Sequence, residues 1–502
     1  MGGIVVVTGK DKKNLLHTIA PKLSHRGDLK QTTHTSHNAL LSYLSSSSCD
    51  VNNRFQILSS EKENYTVIFD GKMYNHNYLK KNLKVHHSFS TTGDAELLLR
   101  LYQESGTDML RKLDGPFALV IATPHTLLLA RDQFGIKPLY YTWNSNQFIA
   151  ASEIKAFPPF SNVMELPPGH VISTNTKKPW MFASSFSSKK SSFLSCSLQK
   201  IEDAIHTLLT KAVKKRIDTT QEIGLFLSGG LDSSLIAAIL KPHISTLHTF
   251  TAGIKGAPDL ESARKVATFL GTIHHEYTYT KEKIENALPT IIQHLESFDA
   301  PLVRSAIPMF FISTLMSNYV QNALSGEGAD ELFAGYDYLH HFSTTKKMRE
   351  EQIKIIHSLH KTGLQRVDRI SMAHGVDVKI PFLDRNLVRF VQKIPVRFLT
   401  TNNHKEAKWI LRDAFQGILP HSILYRKKMK FSEGAGSAEI VAKIVSEKIN
   451  PREFQREQEL MPHLWLSSPE ELFYYRIWKK VMPKGLSPLI VGRTLDKKAV
   501  AY

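Results

Sequence analysis

A chain of 502 residues, 42% hydrophobic and 22% charged, is long enough for two domains with their own cores and has the composition of an ordinary globular protein. Its only cysteines, Cys49 and Cys196, exclude a disulfide framework, and no apolar run approaches bilayer length, so a cytoplasmic protein without a membrane partner is expected. The net charge of +18 is spread over short lysine clusters with no zinc-finger spacing or RNA-binding signature, which argues against a nucleic-acid partner.

The first half reads as short strands between turns. The apolar run Ile4–Val7 is too short for a signal peptide and has no basic residue before it, so it is read as a buried strand. NALLSYL, YTVIFDG, FALVIAT, TLLLARD, QFIAAS and GHVIS follow, interrupted by helical patterns near Leu15–Leu23 and Ala95–Arg111. Dense strands with few helices predict an antiparallel sandwich over residues 1–183. The serine-rich stretch SSFSSKKSSFLSCS lacks periodicity and predicts a linker over 184–199. From residue 200 the grammar changes. A helix over Gln199–Val213, the strand EIGLFLS, a helix over Ser233–Leu240, the strand TLHTFTAGI and a helix over Leu260–Leu270 alternate, which predicts a parallel α/β sheet, with a largely helical remainder to residue 502.

The chemistry is concentrated in the second half. In LFLSGGLDSS a buried strand ends in Ser228-Gly229-Gly230 and a helix begins near Asp232. Glycines there let backbone amides face an anion, and the helix N-terminus adds positive potential. Asp232 beside phosphates makes sense if a magnesium ion lies between them. The block lacks the Gly-Lys-Ser/Thr ending of a Walker loop. In LSGEGADELFAGY, Ser325-Gly326 is followed by Glu327, Asp330 and Glu331, acids that would repel one another as packing residues but suit a metal site or a general base. RKKMKFSEG supplies lysines able to neutralise charge developing in a transition state.

These blocks, with GVDVKIPFLD, GAPDLESARKVATFLGTIHHE, VRSAIPM and RVDRISMAHG, resemble the synthetase domain of the asparagine synthetase family, an ATP pyrophosphatase of the PP-loop type. The resemblance covers most of residues 200–435, and PEELFYYRIWKK and GRTLDKK resemble the family's tail. It implies that a carboxylate attacks the α-phosphate of ATP to give an acyl-adenylate, that an amine then displaces AMP, and that Mg2+ neutralises the pyrophosphate. By motif, Ser228, Gly229, Gly230, Asp232 and Ser233 would hold pyrophosphate and its metal. Ala252 and Gly253 would line the adenine pocket, Ser325 and Gly326 would touch the nucleotide, and Asp330 would bind the metal with Asp232. Glu327 would be the general base, Lys428 would stabilise the adenylation transition state, and Arg304 would hold the acid substrate's carboxylate.

The first half resembles the same family's glutaminase domain, an N-terminal-nucleophile sandwich: SHRG, FDGKMYNH, LDGPFAL and ARDQFGIKPLYY are similar to its motifs. In that family a cysteine following the initiator methionine attacks the glutamine amide. Here that position is Gly2, which cannot form a thioester. The oxyanion-hole asparagine is replaced by Asp70, the acid that grips the glutamine amino group by Lys72, and the arginine that holds its carboxylate by Ser45, while Gly71 and Asp94 survive. Myristoylation of Gly2 is rejected because position 6 is Val6 rather than Ser or Thr.

The expectation is an AMP-forming ligase that amidates aspartate, with ammonia as the expected nitrogen source, a folded but inactive glutaminase half, and an assembly compatible with a homodimer. One alternative is a related ligase joining another acid and amine, of the β-lactam synthetase or lasso-peptide cyclase type. Glu327 weighs against the β-lactam synthetases, which use a Tyr–Glu arrangement instead. Another is a non-catalytic, ATP-binding regulatory protein.

Overall fold

The computed structural model describes residues 2–27, 29–36, 39–45, 57–60, 64–85, 87–144, 147–184, 197–399 and 407–494. Cys49, Cys196 and most of the serine-rich stretch lie outside them. The chain divides into two compact units. One gathers Met1–Ser185 with Met372–Gly375 and Val481–Ile490, and the other holds Phe186–Ser371, Val376–Lys480 and Val491–Tyr502. No helix among the described residues is long and apolar enough to cross a membrane.

In the first unit two six-stranded sheets form. The first runs, edge to edge, Met164–Glu165, Tyr140–Trp143, Phe148–Ala151, Gly2–Thr8, Ala39–Ser45 and Leu29–Ser36. The second runs Trp180–Met181, His170–Ser173, Leu127–Arg131, Phe117–Ala122, Tyr65–Gly71 and Ile57–Ser60. Every pairing is antiparallel. Alternation explains why these strands are apolar throughout rather than at every second residue. Ile4, Val6, Leu41, Ile68, Val120 and Leu129 fill one core cluster, while their neighbours Val67, Phe69, Leu119 and Ile121 fill a second with Leu97, Leu98 and Leu101. Those leucines lie on the helix Asp94–Ser105. The helical pattern read to Arg111 stops at Ser105, where Gly106 takes a positive φ of 52°, and continues as a 3-10 segment over Gly106–Lys112.

The second unit carries a five-stranded sheet in the order Ile273–Thr278, Leu247–Gly253, Ile223–Phe226, Asn322–Leu324, Asp377–Lys379, with every pair parallel. Helix Leu198–Lys214 begins inside the stretch read as linker and buries the stripe Ile201, Ile205, Leu209 and Ala212. After Ile223–Phe226 the chain proceeds to one side of the sheet, and Asn322–Leu324 later returns on the other. Strand order therefore reverses at Ile223–Phe226. In a parallel sheet that switch point opens a crevice outside the carboxyl ends of the two strands. The two blocks singled out above, residues 228–233 and 325–331, are the segments that leave those ends.

Candidate active site

Backbone requirements build the first loop. Gly229 has φ +68°, and a Cβ there would lie 2.4 Å from the backbone carbon of Ser262, so both conformation and space demand glycine. Gly230 caps the helix Leu231–Leu240. The Ser228 amide donates to Ser233 Oγ and the Gly230 amide to Ser228 Oγ, each at 3.3 Å. The second loop is packed against the first: a Cβ on Gly326 would lie 2.9 Å from Asp232 Cβ and 3.1 Å from the Ser233 nitrogen. The Ser325 amide donates to Lys379 O at 3.0 Å, and the Glu327 amide to Ser325 Oγ at 3.3 Å. Residues 228–233 and 325–327, about a hundred positions apart in sequence, thus form one surface at the helix N-terminus.

Charge converges on it. Lys408 Nζ donates to both oxygens of Asp232, at 2.7 and 2.6 Å, and lies 2.7 Å from Asp330 Oδ1. Lys428 Nζ reaches the same Asp330 oxygen at 2.6 Å, donates to Gly335 O at 2.8 Å, and stands 4.5 Å from the centre of the Tyr336 ring. Burial disfavours the charge on Asp330, but Lys408 and Lys428 outweigh it and hold the carboxyl below the usual range. Burial likewise opposes the charge on Lys408, and Asp232 and Asp330 overcome it, so the ammonium stays protonated. Arg426 ties the first loop to the next helix, donating to Ser228 O at 3.0 Å and Asp259 Oδ1 at 2.9 Å.

Glu327 pairs with Arg366, whose guanidinium sits 5.8 Å from the centre of the Phe431 ring. A Cβ at residue 363 would lie 2.0 Å from Glu327 Oε1, so Gly363 gives that carboxylate its room. Glu331 is buried and accepts the Tyr336 hydroxyl at 2.5 Å. Burial, then the charges of Glu327 and Asp330, push its carboxyl up to about 7.

Ala252 and Gly253 lie at the buried end of the adjacent strand, where a Cβ on Gly253 would stand 2.7 Å from Ala257 Cβ. Arg304 is directed elsewhere. Its polar contacts run to Ala300 O at 3.4 Å and Glu470 Oε1 at 3.2 Å, not to Asp232, Asp330 or Glu327. Glu470 is pushed up to about 7, chiefly by burial, with Arg304 opposing.

In the first unit the positions expected to be degenerate are packed and paired. Gly2 faces Ser45 across the sheet, and a Cβ on Gly2 would lie 1.8 Å from Leu44 O and 2.8 Å from Tyr43 Cζ. The Gly2 amide donates to Asp70 Oδ1 at 2.9 Å, and its carbonyl accepts Arg26 Nε at 2.9 Å. Arg26 lies 3.6 Å from Asp70 Oδ2 and donates to Glu153 Oε1 at 2.8 Å, with all three side chains fully buried. Glu153 also pairs with His25 and Lys155; burial opposes its charge, but His25, Lys155 and Arg26 hold its carboxyl well below the ordinary range. Gly71 is required because a Cβ would meet Pro116 O at 2.2 Å, and the Lys72 amide donates to that same carbonyl at 3.1 Å. Asp94 is turned inward, accepting from the Met73 amide at 3.0 Å and lying 2.7 Å from His76 Nδ1.

Sequence reading overlooked Lys408, Arg366 and Arg426, and in the first unit the Arg26–Glu153 pair. Arg366 and Arg426 sit inside RVDRISMAHG and RKKMKFSEG without standing out there, and Lys408 precedes WILRDAF, which mixes apolar residues with Arg412 and Asp413 and gives no local signal.

Residues 204–346 and 340–487 match the asparagine synthase family, and residues 1–166 match the glutamine amidotransferase domain. Asparagine synthetase [glutamine-hydrolyzing] 2 of Oryza sativa subsp. japonica is 32% identical over 98% of this chain and 87% of its own length. A probable asparagine synthetase [glutamine-hydrolyzing] of Dictyostelium discoideum is 32% identical over 93% of this chain and 90% of its own. The chain belongs to the asparagine synthetase family. Within that family it presents a compact acid–lysine cluster at the end of the parallel sheet, and a glycine packed against Leu44 at position 2.

Proposed function

We propose that this member of the asparagine synthetase family is an AMP-forming, ATP-dependent ligase that amidates aspartate with free ammonia and does not hydrolyse glutamine. The observation that carries the reading is the meeting of Asp232, Asp330, Lys408 and Lys428 at the switch point, beside the helix N-terminus that follows Gly230.

The loop of residues 228–230 and the first turn of the following helix cradle the phosphates of ATP. The side chain of aspartate attacks the α-phosphorus through a carboxylate oxygen; the bond to the bridging oxygen breaks and pyrophosphate leaves. Lys428 faces the charge that grows on the phosphoryl oxygens, in a site where an ammonium acts more strongly than in water. Ammonia then attacks the acyl carbon, Glu327 takes the proton it sheds, and AMP leaves with the oxygen. Arg366 keeps Glu327 oriented. Arg304 engages the acid substrate only by exchanging Glu470 for it.

The donor set fits Mg2+. Two carboxylates already converge on a single cationic nitrogen, and this ion is commonly held by one or two carboxylates together with phosphate oxygens. Asp232 and Asp330 would hold it, and when bound it would neutralise charge on the departing pyrophosphate.

The loss of glutaminase chemistry is supported by Gly2, by Asp70 facing the Gly2 amide as an acceptor, and by Lys72 and Ser45 in place of the substrate-holding acid and arginine. The test is pyrophosphate release and AMP formation from ATP, Mg2+ and ammonium across a screen of acids. Aspartate is expected to be the best acid. Adenylation of another acid in preference would move the protein to a related ligase class, and no ATP binding at all would make it non-catalytic.

A further inference from the structure

Lys408 is an unusual occupant of this cluster. Its ammonium sits within 2.7 Å of both Asp232 oxygens and of Asp330 Oδ1, so it bridges the two carboxylates. The residue holds this place from a left-handed backbone conformation, φ +59° and ψ 32°, which a side chain with a Cβ adopts only at some cost. Lys428, by contrast, is fixed from three sides by Asp330, Gly335 O and the Tyr336 ring. Asp330 therefore keeps one ammonium if the other departs.

We propose that Lys408 is a resident cation that fills the metal position between Asp232 and Asp330 and yields it only when phosphate oxygens arrive to receive the ammonium, which makes metal binding dependent on nucleotide or pyrophosphate. The inference rests on reading Asp232 and Asp330 as the metal carboxylates. The physical basis is competition for shared lone pairs. A Mg2+ ion bonds oxygens at about 2.0–2.1 Å and sheds water reluctantly. It competes with an ammonium already hydrogen-bonded to those oxygens and is repelled by its charge. Free metal would have to expel a buried lysine from its contacts with both carboxylates. A metal–phosphate complex brings the acceptors with it, and the four-carbon stem lets the ammonium swing from carboxylate to phosphate. Metal and phosphate then bind with positive coupling, each raising the affinity for the other.

The test uses Mn2+ as probe and the full chain, with free Mn2+ followed by its paramagnetic resonance signal, with and without inorganic pyrophosphate. The unmodified protein is expected to bind Mn2+ at least about tenfold more tightly with pyrophosphate than without it. Lys408→Met is expected to bind Mn2+ alone at least about tenfold more tightly than the parent and to lose most of the pyrophosphate dependence, while Lys408→Arg keeps the parent's behaviour. Equal Mn2+ affinity of the parent with and without pyrophosphate would overturn the proposal, and this arm needs no variant to fold. So would Lys408→Met binding Mn2+ like the parent, with its circular dichroism unchanged. Absence of Mn2+ binding under every condition would overturn it too. Ligase turnover, assayed separately, decides the functional reading by itself: no turnover with Mn2+ behaving as stated leaves this inference standing.

Discussion

Replacing Gly2 by cysteine restores the residue that the glutamine-hydrolysing relatives would need, and the structure predicts that it restores nothing. The new Cβ would stand 1.8 Å from Leu44 O and 2.8 Å from Tyr43 Cζ. Both belong to the strand Ala39–Ser45, which pairs with Gly2–Thr8 along its whole length, so relief requires the two strands to part rather than a side chain to rotate. Overpacking of this kind costs about 1–3 kcal/mol, or roughly 2–12 °C in the unfolding midpoint of a unit of this size. Gly3 is the internal control, because a Cβ there meets its nearest neighbour, Leu44 Cδ1, at 3.4 Å. Gly3→Ala should be neutral or slightly stabilising. Even a tolerated thiol at residue 2 would face Asp70, which holds the Gly2 amide as an acceptor and offers no donor to an oxyanion. Calorimetry of Gly2→Cys and Gly3→Ala, with glutamate release from glutamine, checks both statements. A Gly2→Cys protein that hydrolyses glutamine and melts with the parent would refute the packing argument.

Glu327→Gln should leave ATP–pyrophosphate exchange with aspartate near the parental rate and lower amide formation by about 10²–10⁴, since only the second step needs a base; equal loss in both steps would remove Glu327 from that role. Lys428→Met should lower the exchange itself by about 10²–10³ in kcat, read by isotope exchange at saturating ATP. Glu331 binds its proton more tightly in the native state than in the unfolded one, about 7 against an ordinary 4.5. Its contribution is therefore favourable below pH 4.5 and is lost as pH rises to 7, by up to about 3 kcal/mol. Glu331→Gln should flatten the fall in stability between pH 5 and 8, measured by denaturant titration at both values.

The fold was legible because its signals are local. Strands such as Tyr65–Gly71 are marked by apolar runs between turns, and the glycines at 229 and 326 mark places where backbone comes close to neighbouring atoms. What stayed hidden was pairing. Lys408 is separated from Asp232 by 176 positions, and nothing around it distinguishes a buried ammonium bridging two acids from a surface lysine. The first unit shows the same limit: Asp70 looked like a lost hydrogen-bond donor, and only the coordinates place it on the Gly2 amide, with Arg26 and Glu153 beyond it. Arg304 shows the same limit, since the motif that suggested a substrate contact gave no hint of its pairing with Glu470.

An active ligase site joined to a glutaminase half without chemistry makes one demand above all, on the source of nitrogen. With ATP, Mg2+ and aspartate held saturating, asparagine and AMP are measured with ammonium and, separately, with glutamine as the nitrogen donor. Stoichiometric asparagine and AMP are expected with ammonium, and with glutamine neither asparagine nor glutamate above the level in its absence. Asparagine formed from glutamine at a rate comparable to that from ammonium, with matching glutamate release, would contradict it.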